Sequence, residues 1–321
     1  SSSANSICGY NIKTNNKNGS YLLSSSNNSI CENNVTANQE NGIWLYWSGN
    51  NNITRNIIVE NNDGVAFGIG STNNSIFGNN ITTNRVHGII FIRNTVYNNI
   101  TGNVIANNEY GIWLYLSSNS IILHNNFVEN QHHVFMYNSH GNSWDDGYPS
   151  GGNYWSDYTG MDEKSGPNQD QPGSDGIGDT LYTVSSDYVD RYPLTGTFSD
   201  FDATSELHIQ TVCNSTISDF NFNGTAISFN VSGEMGSIGF CRICIPKTLM
   251  STTYKVLVNG IEVSYSLLQC PHCTSNYLYF TYMHSTKNVV IISEFPSLTI
   301  LQLFILVPLL TAIVCRRKHS K

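Results

Sequence analysis

The amino-acid sequence predicts an all-β protein: a right-handed three-stranded parallel β-helix, then a β-sandwich, then one C-terminal transmembrane helix. Three observations predict this fold class. An apolar motif recurs about every 23 residues within residues 1–141, alternating apolar strands occupy residues 197–294, and residues 296–315 carry no charge. A chain of 321 residues has room for these units, because a single hydrophobic core rarely grows beyond about 250–300 residues.

Each repeat in the first part of the chain contains one short motif, which includes a glycine in its first five copies. Each repeat also contributes one residue to each of two columns, which are sets of apolar residues at equivalent positions. The motif begins at residues 18, 41, 63, 87 and 110, at spacings of 23, 22, 24 and 23 residues. Short β-branched segments between Asn-rich corners are typical of strands, so each repeat is predicted to be one coil of three strands. The columns are Ile7, Ile30, Ile53, Ile76, Ile100, Ile121 and Trp144, and Ile12, Val35, Ile57, Ile81, Val104 and Phe127.

Stacking of these coils explains the repetition. Coils about 4.8 Å apart place equivalent side chains over one another, so that they share a core that no single coil could form. We expect Asn ladders at the corners. Leucine-rich repeats have a similar period, but their Leu-x-x-Leu-x-Leu frame is absent from the sequence. Cys8 and Cys31 fall in adjacent coils as either a disulfide or an unbonded stack, of which we expect the unbonded stack.

Residues 142–196 are rich in aromatic and acidic side chains and are predicted to close the end of the β-helix, whose last strands would otherwise be unpaired. Trp144, Tyr148, Tyr154 and Trp155 can either cover the last coil or form a ligand-binding platform for sugar rings. Spaced carboxylates around glycines suit Ca²⁺, and the alternative is an acidic turn that hydrogen-bonds its own backbone. The candidate calcium ligands are Asp170, Asp175 and Asp179.

The coils and the closing segment together resemble a known family. The closing segment reads Gly141–Tyr148, Gly151–Tyr158, Ser174–Thr180 and Asp190–Leu194. With the coils, it resembles the pectin-lyase-like β-helix of NosD-like and carbohydrate-binding or sugar-hydrolase (CASH) surface proteins of prokaryotes, over roughly residues 1–196.

The NosD-like resemblance implies copper, for which soft ligands would have to converge. His132, His133, Met136 and His140 cluster in the last coil. Neighbouring residues on a strand point to opposite faces, so that His132 and His133 are not expected to share one ion.

Catalysis on polysaccharides requires two carboxylates about 5–10 Å apart. Glu60 and Glu129 fall in one column but three coils apart, roughly 14 Å at the coil spacing, and Glu40 and Glu109 are separated likewise. The sequence shows no adjacent-coil pair of carboxylates within one column. It therefore favours a protein that is not an enzyme, although residues that meet across a corner remain an alternative.

The segment at residues 197–294 is predicted to be a membrane-proximal β-sandwich. Its predicted strands are Thr225–Val231, Ser237–Ile245, Tyr254–Val258, Tyr277–Tyr282 and Val289–Ser293. Cys241, Cys244, Cys270 and Cys273 have the spacing of a zinc ribbon, whereas an exported chain favours disulfides. The sequence leaves three alternatives for these four cysteines: a zinc site, one or two disulfides, or free thiols. Cys213 could pair with any of the four.

The C-terminal part predicts export and anchoring. Residues 296–315 are long enough for a membrane span, and the basic tail at residues 316–321 favours a cytoplasmic C-terminus. The formal charge of −8 offers no patch for nucleic acid. Ten Asn-x-Ser/Thr sequons are compatible with glycosylation outside the cell: Asn18, Asn27, Asn34, Asn52, Asn73, Asn80, Asn99, Asn214, Asn223 and Asn230.

These features predict a single-pass cell-surface protein with an extracellular N-terminal region. Its function is predicted to be structural, adhesive or carbohydrate-binding, with a polysaccharide or protein partner outside the cell and no cofactor other than calcium. Ligands would meet the flat coil faces, where Trp44, Tyr46, Trp113 and Tyr115 can project, while Trp44 and Trp113 are equally suited to the core. The alternatives are a polysaccharide lyase or hydrolase, and a copper-binding protein.

Overall fold

The computed structural model describes residues 3–250 and 253–293. These residues form strands, turns and bends without a helix. Within the described ranges, no helix is long and apolar enough to cross a membrane. The predicted membrane span at residues 296–315 and the basic tail at residues 316–321 lie outside them.

Three parallel sheets build the first part of the chain, each receiving one strand from every coil. The first sheet contains β1 Ser6–Cys8, β4 Ser29–Cys31, β7 Asn52–Thr54, β10 Ser75–Phe77, β13 Asn99–Thr101 and β16 Ile121–Leu123. The second sheet contains β2 Asn11–Lys13, β5 Asn34–Thr36, β8 Ile57–Val59, β11 Asn80–Thr82, β14 Val104–Ala106 and β17 Asn126–Val128. The third sheet contains β3 Ser20–Leu23, β6 Asn41–Tyr46, β9 Asp63–Phe67, β12 His87–Ile92, β15 Tyr110–Tyr115 and β18 His132–Tyr137.

The register of these sheets confirms the predicted stacking of isoleucines. Ile53 pairs with Ile76, and Ile76 pairs with Ile100, and all three are fully buried in one core that runs along the coils. Three predicted members are wrong by one residue, and each lies beside a second aliphatic residue that points inward instead. The buried residues are Ile58, Ile105 and Ile122, whereas Ile57 and Ile121 are exposed and Val104 is half-buried.

Three Asn ladders run along the corners, as the sequence predicts. Within each ladder, the side-chain amide of one Asn donates to the side-chain oxygen of the Asn in the next coil, at 2.7–3.2 Å. Asn56 shows the pattern: its Nδ2 donates to Asn79 Oδ1, Ile30 O and Thr54 O, and its Oδ1 accepts from the backbone N–H of Asn33. Asn56 is 1% exposed. The ladders thus satisfy buried backbone groups where the chain turns.

The repeated glycine of the third sheet has a stacking role. A Cβ at Gly64 would lie 2.5 Å from the carbonyl oxygen of Gly88 and 2.7 Å from Ile81. Gly42 and Gly88 meet the glycine of the following coil in the same way, at 2.7 Å. Since backbone cannot move aside cheaply in a stack of coils, only glycine fits this column wherever a further coil follows.

Cys8 and Cys31 form a disulfide between adjacent strands β1 and β4. This corrects the expected unbonded stack. Direct pairing of the two residues in a parallel register brings their Cα atoms to 4.5 Å, within the range that a disulfide requires.

Residues 142–196 cover the last coil. Strand β19 Tyr154–Trp155 adds to the second sheet beside β17, and the chain continues in two short hairpins. The hairpin strands are β20 Lys164–Ser165, β21 Gln171–Pro172, β22 Tyr182–Ser185 and β23 Tyr188–Asp190. Trp155 stacks on Phe127 of the last coil at 4.3 Å and carries Tyr182 on its other side, also at 4.3 Å. The exposed end of the core is therefore closed by aromatic rings.

Two five-stranded antiparallel sheets follow and share one apolar core, which is the arrangement of a β-sandwich. The five strands predicted from the sequence are present, and five further strands accompany them. One sheet has the order β24 Thr197–Asp202, β25 His208–Cys213, β28 Ile238–Pro246, β32 Ser275–Met283 and β31 Tyr265–Leu268. The other has the order β26 Thr216–Phe222, β27 Ala226–Ser232, β33 Lys287–Ser293, β29 Tyr254–Val258 and β30 Ile261–Val263.

The sandwich packs against the side of the coils through strand β24. The Asn126 side chain accepts from Phe198 N at 2.8 Å and donates to Phe198 O at 2.9 Å. The Phe198 ring stacks on His124 at 4.5 Å. Further along the coils, Arg55 forms an ion pair with Asp202 at 2.5 Å. Strand β24 therefore runs along one corner of the β-helix.

Candidate functional site

The outer face of the third sheet carries most of the aromatic side chains of the coils. Its strands have up to six residues, twice the three of the other two sheets, so that it offers the widest flat surface. Inward positions such as Ile43 and Leu45 are fully buried, while Trp44 between them points outward and is partly exposed. Trp113 occupies the same position three coils on. Both tryptophans therefore belong to the outer surface rather than the core.

The first aromatic group lies in the N-terminal coils. Tyr21 stacks on Trp44 with 4.8 Å between ring centroids, and Trp44 meets Tyr46 edge-on at 6.0 Å. Trp47 follows at 6.4 Å from Tyr46. Tyr21 is 48% exposed and Trp47 is 57% exposed, so the rings of this group present wide apolar faces to solvent.

The second aromatic group lies in the last two coils. Trp113 stacks on Phe135 at 3.8 Å, and Tyr115 stacks on Tyr137 at 5.2 Å. Tyr110 stands perpendicular to Trp113 at 4.8 Å. Arg93 lies over the Tyr115 ring at 6.0 Å and places one positive charge at the edge of the group.

Small and aliphatic side chains separate the two groups. Ala66 pairs with Trp44 on one side and with Ile90 on the other. A Cβ at Gly68 would lie 2.6 Å from the Tyr46 ring, so the absence of a side chain there leaves room for that ring. Strands β6 and β15 are three coils apart, roughly 14 Å at the usual strand spacing. The face is thus an elongated surface with aromatic rings at both ends.

Polar groups flank the second aromatic group. His87 Nδ1 lies 2.7 Å from Asp63 Oδ1 of the preceding coil, and the imidazole ring lies 5.2 Å from Trp113. At the adjoining corner, between the second and third sheets, Glu109 and Glu129 line one shallow hollow together with Arg85. The two carboxylates belong to adjacent coils but to different columns, which is why a column-by-column search of the sequence missed them.

The predicted sugar platform in the closing segment is not formed by its two tryptophans. Trp144 is 2% exposed and Trp155 is 1% exposed, and both belong to the core of the coils. A sugar ring could reach them only if the end of the β-helix opened, so these two rings cover the last coil, which is the other alternative that the sequence left open. Tyr148 and Tyr154 are half-buried and pack against the cluster between the closing segment and the sandwich.

The three candidate calcium ligands are not assembled into one site. Asp175 is fully buried and accepts hydrogen bonds from Ile177 N and Gln169 Nε2, and burial raises its pKa. Asp179 accepts from the backbone N–H groups of residues 163 and 164, while Asp170 is exposed. Their geometry is that of acidic side chains that satisfy nearby amides. Within residues 3–250 and 253–293, the carboxylate and imidazole group close enough to share an ion is Asp200, Asp202 and His208.

The four candidate copper ligands are likewise spread over different surroundings. His132 is exposed and stacks on Tyr110 at 4.9 Å, whereas His133 is buried with its Nε2 3.2 Å from Asp157. Burial lowers the pKa of His133, and the Asp157 carboxylate acts in the opposite direction. Met136 packs on the core of the coils, and His140 contacts the Tyr188 hydroxyl at 3.3 Å.

The four candidate zinc cysteines separate into three different environments. Cys270 and Cys273 are joined in a disulfide. Cys241 is fully buried inside the sandwich core, and Cys244 on the same strand lines a small cavity between the sandwich and the closing segment. The fully buried neighbour of Cys241 is Cys213, directly opposite it on strand β25.

The family comparison agrees with the geometry of the coils. Residues 1–146 match the family model described as "Right handed beta helix region". The parallel coils at residues 6–137 are therefore similar to a right-handed β-helix. No match was found among curated proteins.

Three solved structures show weak similarity to the chain. The A-module of mannuronan C-5 epimerase AlgE6 from Azotobacter vinelandii is 22% identical, with 42% of each chain covered and a TM-score of 0.31. The Dettilon tailspike protein gp208 is 15% identical, covering 85% of this chain and 68% of the tailspike, with a TM-score of 0.29. The tailspike gp49 from Acinetobacter baumannii bacteriophage Fri1, a capsular polysaccharide depolymerase, is 12% identical, covering 87% and 60%, with a TM-score of 0.22. The chain spans less than half the length of the epimerase module.

Proposed function

We propose that this chain is a non-catalytic surface protein that binds extended carbohydrate chains along the outer face of the third sheet. The observation that carries the proposal is the pair of partly exposed aromatic groups, Tyr21–Trp44 and Trp113–Phe135, at the two ends of that face. Contiguous exposed apolar surface on a soluble unit commonly marks a binding site. Tyrosine and tryptophan suit carbohydrate because a wide apolar ring is joined to a polar group.

The shape of the face supports a chain-like ligand. Successive coils repeat about every 4.8 Å along the axis, which is close to the length of one extended pyranose unit. A glycan lying along the axis would then place roughly one sugar over each coil. The aromatic groups would hold sugars near its two ends, and the aliphatic middle around Ala66 and Ile90 would accept the rings between them.

The same proposal includes the surface location. The charge-free segment 296–315, followed by a basic tail, supports a membrane anchor, and two disulfides support an oxidising compartment. The resemblance to NosD-like and CASH surface proteins supports the same placement. The sandwich would then stand between the β-helix and the membrane.

A glycan array with the full 321-residue chain tests the proposal. Binding to at least one neutral or charged polysaccharide is expected, and calorimetry would then compare variants on that ligand. Trp113→Ala should weaken binding roughly tenfold, because an aromatic contact contributes about 1 kcal/mol beyond its buried area. The matched control is Tyr10→Ala, since Tyr10 is 61% exposed but lies at the corner between the first and second sheets. Equal affinity of Trp113→Ala and the unmodified chain would sink the proposal.

Glycoside hydrolysis is the second candidate function, favoured by Glu109 and Glu129 in one hollow beside the second aromatic group. Two carboxylates about 5–10 Å apart supply the acid and the base or nucleophile of that reaction. A reducing-end assay on the polysaccharide that binds distinguishes the candidates. New reducing ends that disappear in Glu109→Gln and Glu129→Gln would support hydrolysis, whereas bound polysaccharide that stays intact would support binding alone.

A further inference from the structure

Two thiols of the sandwich lie directly opposite each other in its core. Cys213 on strand β25 pairs with Cys241 on strand β28, and their side chains are 1% and 0% exposed. Opposite residues of antiparallel strands have Cα atoms about 4.5–5.5 Å apart, and a disulfide requires about 4.4–6.8 Å. The two side chains face the same core, so no change of backbone direction is needed for their sulfurs to meet.

A chain of hydrogen bonds connects Cys213 to the surface. The Tyr282 hydroxyl lies 3.4 Å from Cys213 Sγ and 2.7 Å from Ser215 Oγ. Ser215 Oγ lies 2.6 Å from His284 Nε2, and His284 Nδ1 lies 2.5 Å from Ser237 Oγ in a partly exposed turn. The Cys213 thiol itself donates to Phe240 O at 3.0 Å. The Tyr282 hydroxyl beside it links the sulfur to the hydrogen-bonded groups that lead to solvent.

Glycines make room for this polar path. A Cβ at Gly233 would lie 2.5 Å from the His284 ring, and a Cβ at Gly239 would collide with Tyr282 and lie 2.7 Å from His284. Buried polar groups in an apolar core cost free energy unless they are hydrogen-bonded. The buried polar groups of this path occur together with two glycines that accommodate them, so we interpret them as a functional arrangement rather than chance burial.

The electrostatics favour Cys213 as the reactive thiol. The hydrogen bond from the Cys241 thiol lowers the pKa of Cys213, although burial acts in the opposite direction. The backbone N–H of Ser215 also donates to Cys213 Sγ at 3.4 Å. Burial raises the pKa of Cys241 well above its usual value. The thiolate is the form that attacks disulfides, so that Cys213 reacts first.

We propose that Cys213 and Cys241 are a redox-active pair that closes into a cross-strand disulfide, with the Tyr282–Ser215–His284–Ser237 path removing the Cys213 proton. Because Cys213 is 1% exposed, this reaction requires a local opening of the sandwich beside the exposed Asn214. The Cys213 thiolate then attacks glutathione disulfide, forms a mixed disulfide and releases one glutathione. Cys241 then loses its proton and attacks Cys213 Sγ, which releases the second glutathione. Two thiols are oxidised, and one glutathione disulfide is reduced to two thiols.

Refolding of the full chain in glutathione disulfide, followed by alkylation and non-reducing peptide mapping, tests the pair. A peptide linked through Cys213 and Cys241 is expected, while Cys244 is alkylated. Cys244 is the matched control, because it lies on the same strand but faces the opposite side of the sheet. Recovery of Cys213 and Cys241 both alkylated after saturating oxidation would overturn the proposal, as would a link from either of them to Cys244.

Three variants separate the chemistry from folding. Cys241→Ser should trap glutathione on Cys213, and Cys244→Ser should leave the Cys213–Cys241 link unchanged. Ser215→Ala interrupts the path without removing either thiol, so it should slow disulfide formation roughly tenfold and move its rate-against-pH curve to higher pH. Circular dichroism verifies that each variant folds. If the rate-against-pH curve of Ser215→Ala coincides with that of the unmodified chain, the path has no role in removing the Cys213 proton.

Discussion

The indole Nε1–H of Trp155 donates to a carboxylate oxygen of Asp190 at 2.9 Å, and both side chains are buried at the closed end of the β-helix. The same carboxylate accepts from Asn153 N at 2.7 Å and from Tyr192 N at 3.1 Å. Asp190 thus links the Trp155 ring, which closes the core, to the backbone of the closing segment. Because the carboxylate is buried, water cannot replace these hydrogen bonds.

The pH dependence of stability follows from the burial of Asp190. Burial raises its pKa from 3.8 to about 7, against the opposing effect of its three N–H donors. The folded state therefore binds the proton more tightly than the unfolded state, so the free energy of unfolding should fall as pH rises from about 4 to about 7. Asp162, whose pKa burial raises to about 6, acts in the same direction.

Urea unfolding at several pH values measures this effect. A change on the order of 4 kcal/mol is expected from Asp190 across the window, at about 1.4 kcal/mol per pKa unit. Asp190→Asn should flatten the curve, whereas Asp187→Asn removes the same charge at an exposed position of the neighbouring turn and should not. A slope of opposite sign in the unmodified chain would contradict the assignment.

The Asn ladders make a separate prediction about stability. Asn56→Leu removes the Nδ2 group that donates to Asn79 Oδ1 and Ile30 O. It also leaves the backbone N–H of Asn33 without its acceptor. We expect a loss of about 2–4 kcal/mol, because each buried polar group left without a partner costs about 1–3 kcal/mol. Asn52→Ala in the same coil is the control, and its exposed side chain should change stability by less than about 0.5 kcal/mol. Comparable losses in both variants would mean that the ladder does not stabilise the coils.

The coils could be predicted from the sequence because a 23-residue period leaves few alternatives. The errors in register arose where two aliphatic residues are adjacent, as in Ile57-Ile58 and Ile121-Ile122. Alternation shows that one of the two points inward but not which one. The corner fixes that choice, since the first residue follows an Asn ladder position and the second reaches the core.

The candidate site was harder to predict for a physical reason. Outward positions are not constrained by packing, so that Trp44 and Trp113 fitted the core as well as the surface until the register was known. Glu109 and Glu129 meet across a corner, and only the turn geometry brings them together. The Cys213–Cys241 pair depends on the pairing of strands β25 and β28, which have 24 residues between their nearest ends, and no local pattern indicates it.

The disulfide of the first coils should stabilise the N-terminal end. Closing a loop of about 23 residues is worth about 3 kcal/mol in the chain-entropy model, and Cys8 and Cys31 close such a loop. Reduction should therefore increase hydrogen exchange in the first two coils and leave the last coils unchanged. The double variant Cys8→Ser with Cys31→Ser should behave like the reduced chain and be insensitive to reductant. Uniform exchange changes along the whole β-helix would contradict a local effect.

Glycosylation should follow the coil spacing if the chain is exported as proposed. Asn34 and Asn80 share one column with Ile57 between them, and Asn52 and Asn99 share another with Ser75 between them. All four sequon asparagines are exposed on the first and second sheets. Glycans within a column would stand two coils apart, about 10 Å, rather than crowd at the spacing of one coil.

Peptide mapping of the chain secreted from a glycosylating host should find glycans at these four positions, which leaves the aromatic face of the third sheet open. Asn214 is the comparison, because its side chain is exposed but its amide donates to Ile238 O at 3.0 Å and its oxygen accepts from Phe240 N at 2.8 Å. A glycan replaces one hydrogen of the amide nitrogen and competes with the bond to Ile238 O, so Asn214 should be occupied less than the four coil positions. Full occupancy of Asn214 in folded chains, with the four coil positions empty, would contradict the arrangement.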